Sequence, residues 1–72
     1  MTRQVRPPTR LELARRAAGW TKADLAVRTG VSLMTLWRAE RGIGHPQLPE
    51  ALRIARALGT TVEALWGPEA AK

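Results

Sequence analysis

A length of 72 residues, 44% apolar and 25% charged, predicts one small globular domain with room for a single core. Cysteine is absent, which excludes a disulfide framework and thiolate metal sites and leaves apolar packing to close the fold. Twelve Lys and Arg against six Asp and Glu give a net charge of +6, a field that steers polyanions and makes nucleic acid the leading partner class.

Residues 1–8 carry Arg3, Arg6 and the pair Pro7-Pro8 without apolar periodicity, so they read as a flexible basic arm. Thr9 opens a first helix. Thr9 and Glu12 have capping-box spacing, Pro8 and Leu13 have staple spacing, and Leu11, Ala14 and Ala18 share a face before Gly19. The same grammar repeats with Thr21 and Asp24 as a second box, Trp20 and Leu25 as staple, and Leu25 and Ala26 turned inward before Gly30. Ser32 then caps a third helix through Arg41, with Val31 and Leu36 as staple and Gly42 as stop.

Ile43 to Gln47, with Gly44 and Pro46, read as a loop, and Pro49 falls in the first turn of a fourth helix. The apolar stripe expected on that helix is Leu48, Ala51, Leu52, Ala55 and Leu58, and Gly59 ends it. A short fifth helix starts at Thr60 or Thr61 and buries Val62 and Leu65. Trp20 and Trp66 read as packing at the core or its edge, and residues 67–72 as a frayed tail. No window alternates as a strand does, so the expectation is an all-α, compact five-helix domain over residues 9–66.

Two helices joined by a tight turn cross closely when the first presents a small residue and the turn tolerates positive φ. Ala26 and Gly30 meet those needs, and Leu36 anchors the second helix to the same core with its opposite face outward. In order along the chain stand Thr21-Lys22-Ala23-Asp24-Leu25-Ala26, Gly30-Val31-Ser32, Glu40-Arg41-Gly42, Pro46 and Ala57-Leu58-Gly59. This set closely resembles the Cro and phage-repressor (XRE-type) helix-turn-helix family, from about Leu11 to Trp66. The resemblance implies a repressor-like domain that binds double-stranded DNA sequence-specifically as a transcriptional regulator. It further implies a homodimer on a two-fold operator, and no enzymatic activity.

Position by position, the resemblance implies base-edge contacts from Leu33, Met34 and Arg38. It implies contacts to the DNA backbone from Lys22, Ser32, Thr35, Arg41 and the peptide groups around Ile43 to His45. Arg15 and Glu40 match a buried ion pair of the family. On a helical wheel at about 100° per residue, Leu33, Met34, Trp37, Arg38 and Arg41 face one way and Leu36 and Ala39 the other. The outward face is thus mostly apolar, where the family commonly carries glutamine, serine, asparagine or arginine. Arg38 has the fork for guanine O6 and N7, Leu33 and Met34 suit thymine methyls, and Trp37 is counted with them among the base contacts, its size suiting alternatively a sugar or a partner subunit.

A second reading keeps the fold but makes Leu33, Met34 and Trp37 an exposed patch covered by a protein partner, as in an antitoxin or co-regulator. Arg3 and Arg6 read equally as solubilising tail or as an arm along the minor groove. His45 is a lone histidine with no cysteine to join it, so neither a metal nor a cofactor is expected. No serine or cysteine nucleophile with a histidine base, phosphate-cradling glycine loop or carboxylate cluster points to an enzyme. No apolar run of about 18 residues and no secretory start follows Met1. A soluble, cytoplasmic and nucleoid-associated protein is the expectation.

Overall fold

The computed structural model describes residues 7–67. Arg3 and Arg6 of the expected arm and Pro68 of the expected tail lie outside the described residues. Five helices follow one another: α1 (Arg10–Ala17), α2 (Lys22–Thr29), α3 (Leu33–Arg41), α4 (Leu48–Ala57) and α5 (Val62–Trp66). No strand occurs among the described residues.

The helix starts are set locally, because the first-turn N–H groups have no partner inside the helix. Thr9, Thr21, Ser32 and Thr61 each accept a hydrogen bond from the backbone N–H three residues on. At α2 the box is reciprocal, with the Thr21 N–H donating to Asp24 Oδ2 at 2.9 Å. At α1 it is not, since the Glu12 carboxylate pairs with Arg16 one turn along and the Thr9 hydroxyl donates to the Glu40 carbonyl at 3.0 Å. Where Gln47 precedes α4, the Glu50 carboxylate accepts the Gln47 N–H at 3.2 Å.

The helices make their main contacts in the cyclic order α1, α3, α2, α4, α5 and back to α1, which closes a ring around one core. That core holds Leu11, Leu25, Val31, Leu36, Ile54, Val62 and Leu65 together with Ala39, Ala51 and Ala55. Trp20 and Trp66 pack half-buried at its edge. The stripe of α4 differs from the sequence expectation. It runs through Ala51, Ile54, Ala55 and the half-buried Leu58, while Leu48 and Leu52 stay 43% and 41% exposed. The i, i+3, i+4, i+7 line through Ile54 satisfies both α2 and α5, and it rotates Leu48 and Leu52 to the flank. Ala18 is likewise exposed, because α1 ends at Ala17 and the buried place one turn after Leu11 goes to Arg15.

Candidate nucleic-acid interface

The turn between α2 and α3 is built from three local interactions. Gly30, at φ 71°, donates its N–H to the Ala26 carbonyl at 2.8 Å. This left-handed conformation suits glycine, which lacks a Cβ. Thr29, which the sequence reading passed over, is buried. Its hydroxyl donates to the Leu25 carbonyl at 2.7 Å and accepts the Val31 N–H at 3.2 Å. A β-branched hydroxyl just before a stop glycine is the signal that marks it, since such a side chain competes for backbone groups at a helix end. Val31 then drops into the core and Ser32 caps α3.

Leu36, Ala39 and Glu40 form the inward side of α3. Glu40 is the organising acid. Its carboxylate accepts Arg15 Nε at 2.6 Å and Arg15 Nη2 at 2.9 Å, while Arg15 Nη1 donates to the Trp20 carbonyl at 2.8 Å. Those bonds to Glu40 hold the Arg15 guanidinium above its ordinary pKa against the opposing effect of burial. Lys22 Nζ lies 3.9 Å from Glu40 Oε1, so the lysine at the start of α2 is drawn toward the same carboxylate. Every buried side-chain polar atom among the described residues has a partner.

The opposite side of α3 presents Leu33, Met34 and Trp37 at 52%, 58% and 40% exposure, together with exposed Arg38 and Arg41. The Arg41 guanidinium lies 4.5 Å from the Trp37 ring centroid. Arg28 makes the equivalent stack on Trp20 at 4.2 Å, a pairing that sequence spacing did not suggest. A concavity of about 240 Å³ gathers Thr35 and Arg38 with Ile43, Gly44 and His45 of the following loop. Of the residues expected at base edges, Arg38 alone shares this wall with residues expected at the DNA backbone. The Ser32 hydroxyl donates to Thr35 Oγ1 at 2.8 Å, which ties the cap of α3 to that concavity. The Ile43 N–H donates to the Arg38 carbonyl at 3.1 Å, holding the loop against the helix end.

Lys22 stands apart from that concavity, on α2 beside Glu40. Leu33, Met34 and Trp37 line a separate, shallow apolar cavity. Among the described residues no helix is long and apolar enough to cross a membrane, and no three His, Cys, Asp or Glu side chains gather as metal ligands do.

Comparison with known proteins agrees with this geometry. A family model described as a helix-turn-helix domain matches residues 9–65, from the cap of α1 to Leu65 of α5. Neither a curated protein nor a solved structure matches the chain. The matched domain is one of DNA-binding regulators and is consistent with the XRE type. With most of its 72 residues covered by that model, the chain belongs to the helix-turn-helix domain family.

Proposed function

We propose that the protein is a sequence-specific transcriptional repressor that lays α3 in the major groove of an operator as a homodimer, acting in the cytoplasm on nucleoid DNA. The observation that carries this reading is the outward face of α3. It bears Arg38 and Arg41 and no exposed acid, because Glu40 is turned inward against Arg15. A cationic face on a rigid helix tolerates a polyanionic groove at close range, and the net charge of +6 steers DNA toward it.

Arg38, exposed on α3, is the hydrogen-bonding reader and takes the forked contact to guanine, with the exposed Leu33 and Met34 against thymine methyls. Lys22, Ser32, Thr35, Arg41, Ile43 and His45 meet the phosphates. Residues 9–66 form the working domain. A second copy has a surface in the groove of about 370 Å³ between α4 and α5, where the exposed Leu48 and Leu52 lie with Arg56 and Glu63. Carrying one cation and one acid, that groove suits an isologous contact in which each charge meets its opposite across the axis.

Selection of a consensus from random-sequence duplexes tests the reading. A two-fold symmetric motif is expected, and with about four phosphates neutralised per subunit log K falls against log salt with a slope near −3.6 per subunit, about −7 for the dimer. Recovery of no motif, with only weak salt-sensitive binding, overturns it. Sedimentation at micromolar concentration tests the dimer against the 7.9 kDa chain mass; association appearing only on DNA is also consistent with it.

A further inference from the structure

The outward face of α3 divides chemically into two halves. One is the concavity of Thr35, Arg38 and the loop through His45, all of which the DNA reading uses. The other is a shallow apolar cavity of about 350 Å³ lined by Leu33, Met34 and Trp37 alone. The Arg41 guanidinium stacks on its Trp37 wall. A thymine presents a single methyl carbon to the major groove, far less than this cavity holds, and an indole exceeds any contact a base edge requires.

Protein partners fit such a surface better. Trp, Met and Arg are enriched at the centres of protein interfaces, where Trp and Arg supply most of the binding energy. Methionine, unbranched and polarizable, adapts its shape to an incoming side chain. The charge around the cavity also selects the occupant. Arg38 and Arg41 flank it, and the acid of α3 faces the core.

We propose that Leu33, Met34 and Trp37 dock an acidic amphipathic helix of another protein, its apolar residues in the cavity and its carboxylates drawn by Arg38 and the Arg41–Trp37 stack. A helix laid into an apolar groove with charges along its margins is a recurrent recognition mode. Because the same residues face the DNA groove in the proposed function, helix and DNA exclude one another. The docking stands on the cavity itself; only the exclusion rests on the DNA reading. A partner of this kind lifts repression by occupying the reader helix, without a separate effector site.

The test uses the full chain and a displayed library of random peptides about 20 residues long, enough for several helical turns. The library is selected on the wild type and counter-selected on a variant carrying Leu33→Ser, Met34→Ser and Trp37→Ser. Met34→Lys, at the most exposed of the three positions, serves if the triple variant loses helicity by circular dichroism. Enriched peptides are expected to space apolar residues at i, i+3 and i+4 among Asp and Glu, and a synthetic copy binds the wild type at least about tenfold tighter than the variant. Duplex DNA is expected to displace that copy.

No enrichment over the counter-selection, or enriched peptides without acidic residues, overturns the docking. Failure of DNA to displace a bound peptide overturns the exclusion. Duplex binding is measured separately by fluorescence anisotropy, so the two readings fail independently. Peptide binding with no duplex binding removes the DNA reading alone. Loss of duplex binding in the triple variant with no peptide enriched assigns the apolar half to DNA and removes the docking alone.

Discussion

Lys22 Nζ lies 3.9 Å from Glu40 Oε1, on a carboxylate that already accepts two hydrogen bonds from Arg15. One acid on α3 thus gathers cations from α1 and from the start of α2, the helices between which α3 is held. The three members are unequal. Arg15 and Glu40 are buried, whereas the Lys22 side chain is 38% exposed. Removing Glu40 strands a buried guanidinium, so Glu40→Gln is expected to cost about 3–5 kcal/mol, much of the stability available to a domain this small. Arg15→Met combined with Glu40→Leu recovers most of it, and Lys22→Ala costs less than about 1 kcal/mol. Urea unfolding followed by circular dichroism measures all three. A Glu40→Gln variant as stable as the wild type would show that the pair does not organise the fold.

On DNA, Lys22 and Arg38 are expected to separate by what they change. Arg38→Ala is expected to relax preference at one base pair per half-site, by about 1–3 kcal/mol of discrimination, and to leave other positions unchanged. Lys22→Ala weakens all sequences alike and reduces the salt slope by about 1 per subunit. Anisotropy titrations of the consensus duplex and its single substitutions, at several salt concentrations, distinguish the two patterns. Equal losses on every duplex for Arg38→Ala would move that residue to the phosphates.

The α2 capping box carries an acid limb. Asp24 is held below the ordinary carboxylate range first by the Thr21 backbone N–H, then by the Thr21 side chain, with a smaller contribution from Arg28. A carboxylate whose folded pKa is depressed adds stability above its unfolded value, near 4, and loses it as pH falls through the folded value. The stability gap between wild type and Asp24→Asn is therefore expected to be full at pH 6 and to close progressively below about pH 4. The raised pKa of Arg15 acts in the opposite sense. Its contribution is complete wherever a free arginine is protonated and is lost only in strong alkali, so it gives no slope near neutrality. Thermal melts of both chains between pH 3 and 7 check this; a constant gap would rule out the carboxylate as its source.

Helix limits were legible in the sequence because caps and stops act within four residues. Thr21 and Ser32 satisfy first-turn donors, and Gly30 and Gly42 supply left-handed turns at φ 71° and 72°. The outward side of α3 was legible for a related reason, since Leu36 and Ala39 leave only one rotation for the helix. What escaped depends on partners distant in sequence. The Thr9 hydroxyl finds a carbonyl 31 residues away, and Lys22 finds an acid on another helix. On α4, leucines and Ile54 span so wide an arc that periodicity alone does not fix its rotation, and α2 and α5 choose Ile54. The wall joining Arg38 to His45 depends on the path of the loop after α3, which no repeat encodes.

That choice of rotation gives Ile54 and Leu52 opposite phenotypes two residues apart. Ile54 is fully buried, so Ile54→Ala is expected to cost about 2–5 kcal/mol and to unfold much of the population. Leu52, half out of the fold, lines the α4–α5 groove, so Leu52→Glu keeps the melting temperature of the dilute protein within a few degrees and weakens self-association. Melts at low concentration and sedimentation at high concentration separate the effects. A Leu52→Glu variant that unfolds when dilute would return this residue to the core.

Gly30 offers the cleanest test of the turn itself. A Cβ built there meets nothing within 4 Å, yet φ is 71°, so the penalty for a larger residue is purely conformational. Gly30→Ala is expected to cost about 1–2 kcal/mol, and Gly30→Asn less, because asparagine tolerates the left-handed region better. Since α2 and α3 keep their packing in both variants, duplex affinity measured well below the melting temperature should fall less than the stability does. Urea unfolding and anisotropy on the same samples make the comparison. A loss of affinity far exceeding the loss of stability would mean that the turn sets the angle of α3 to the DNA as well as its connection to α2.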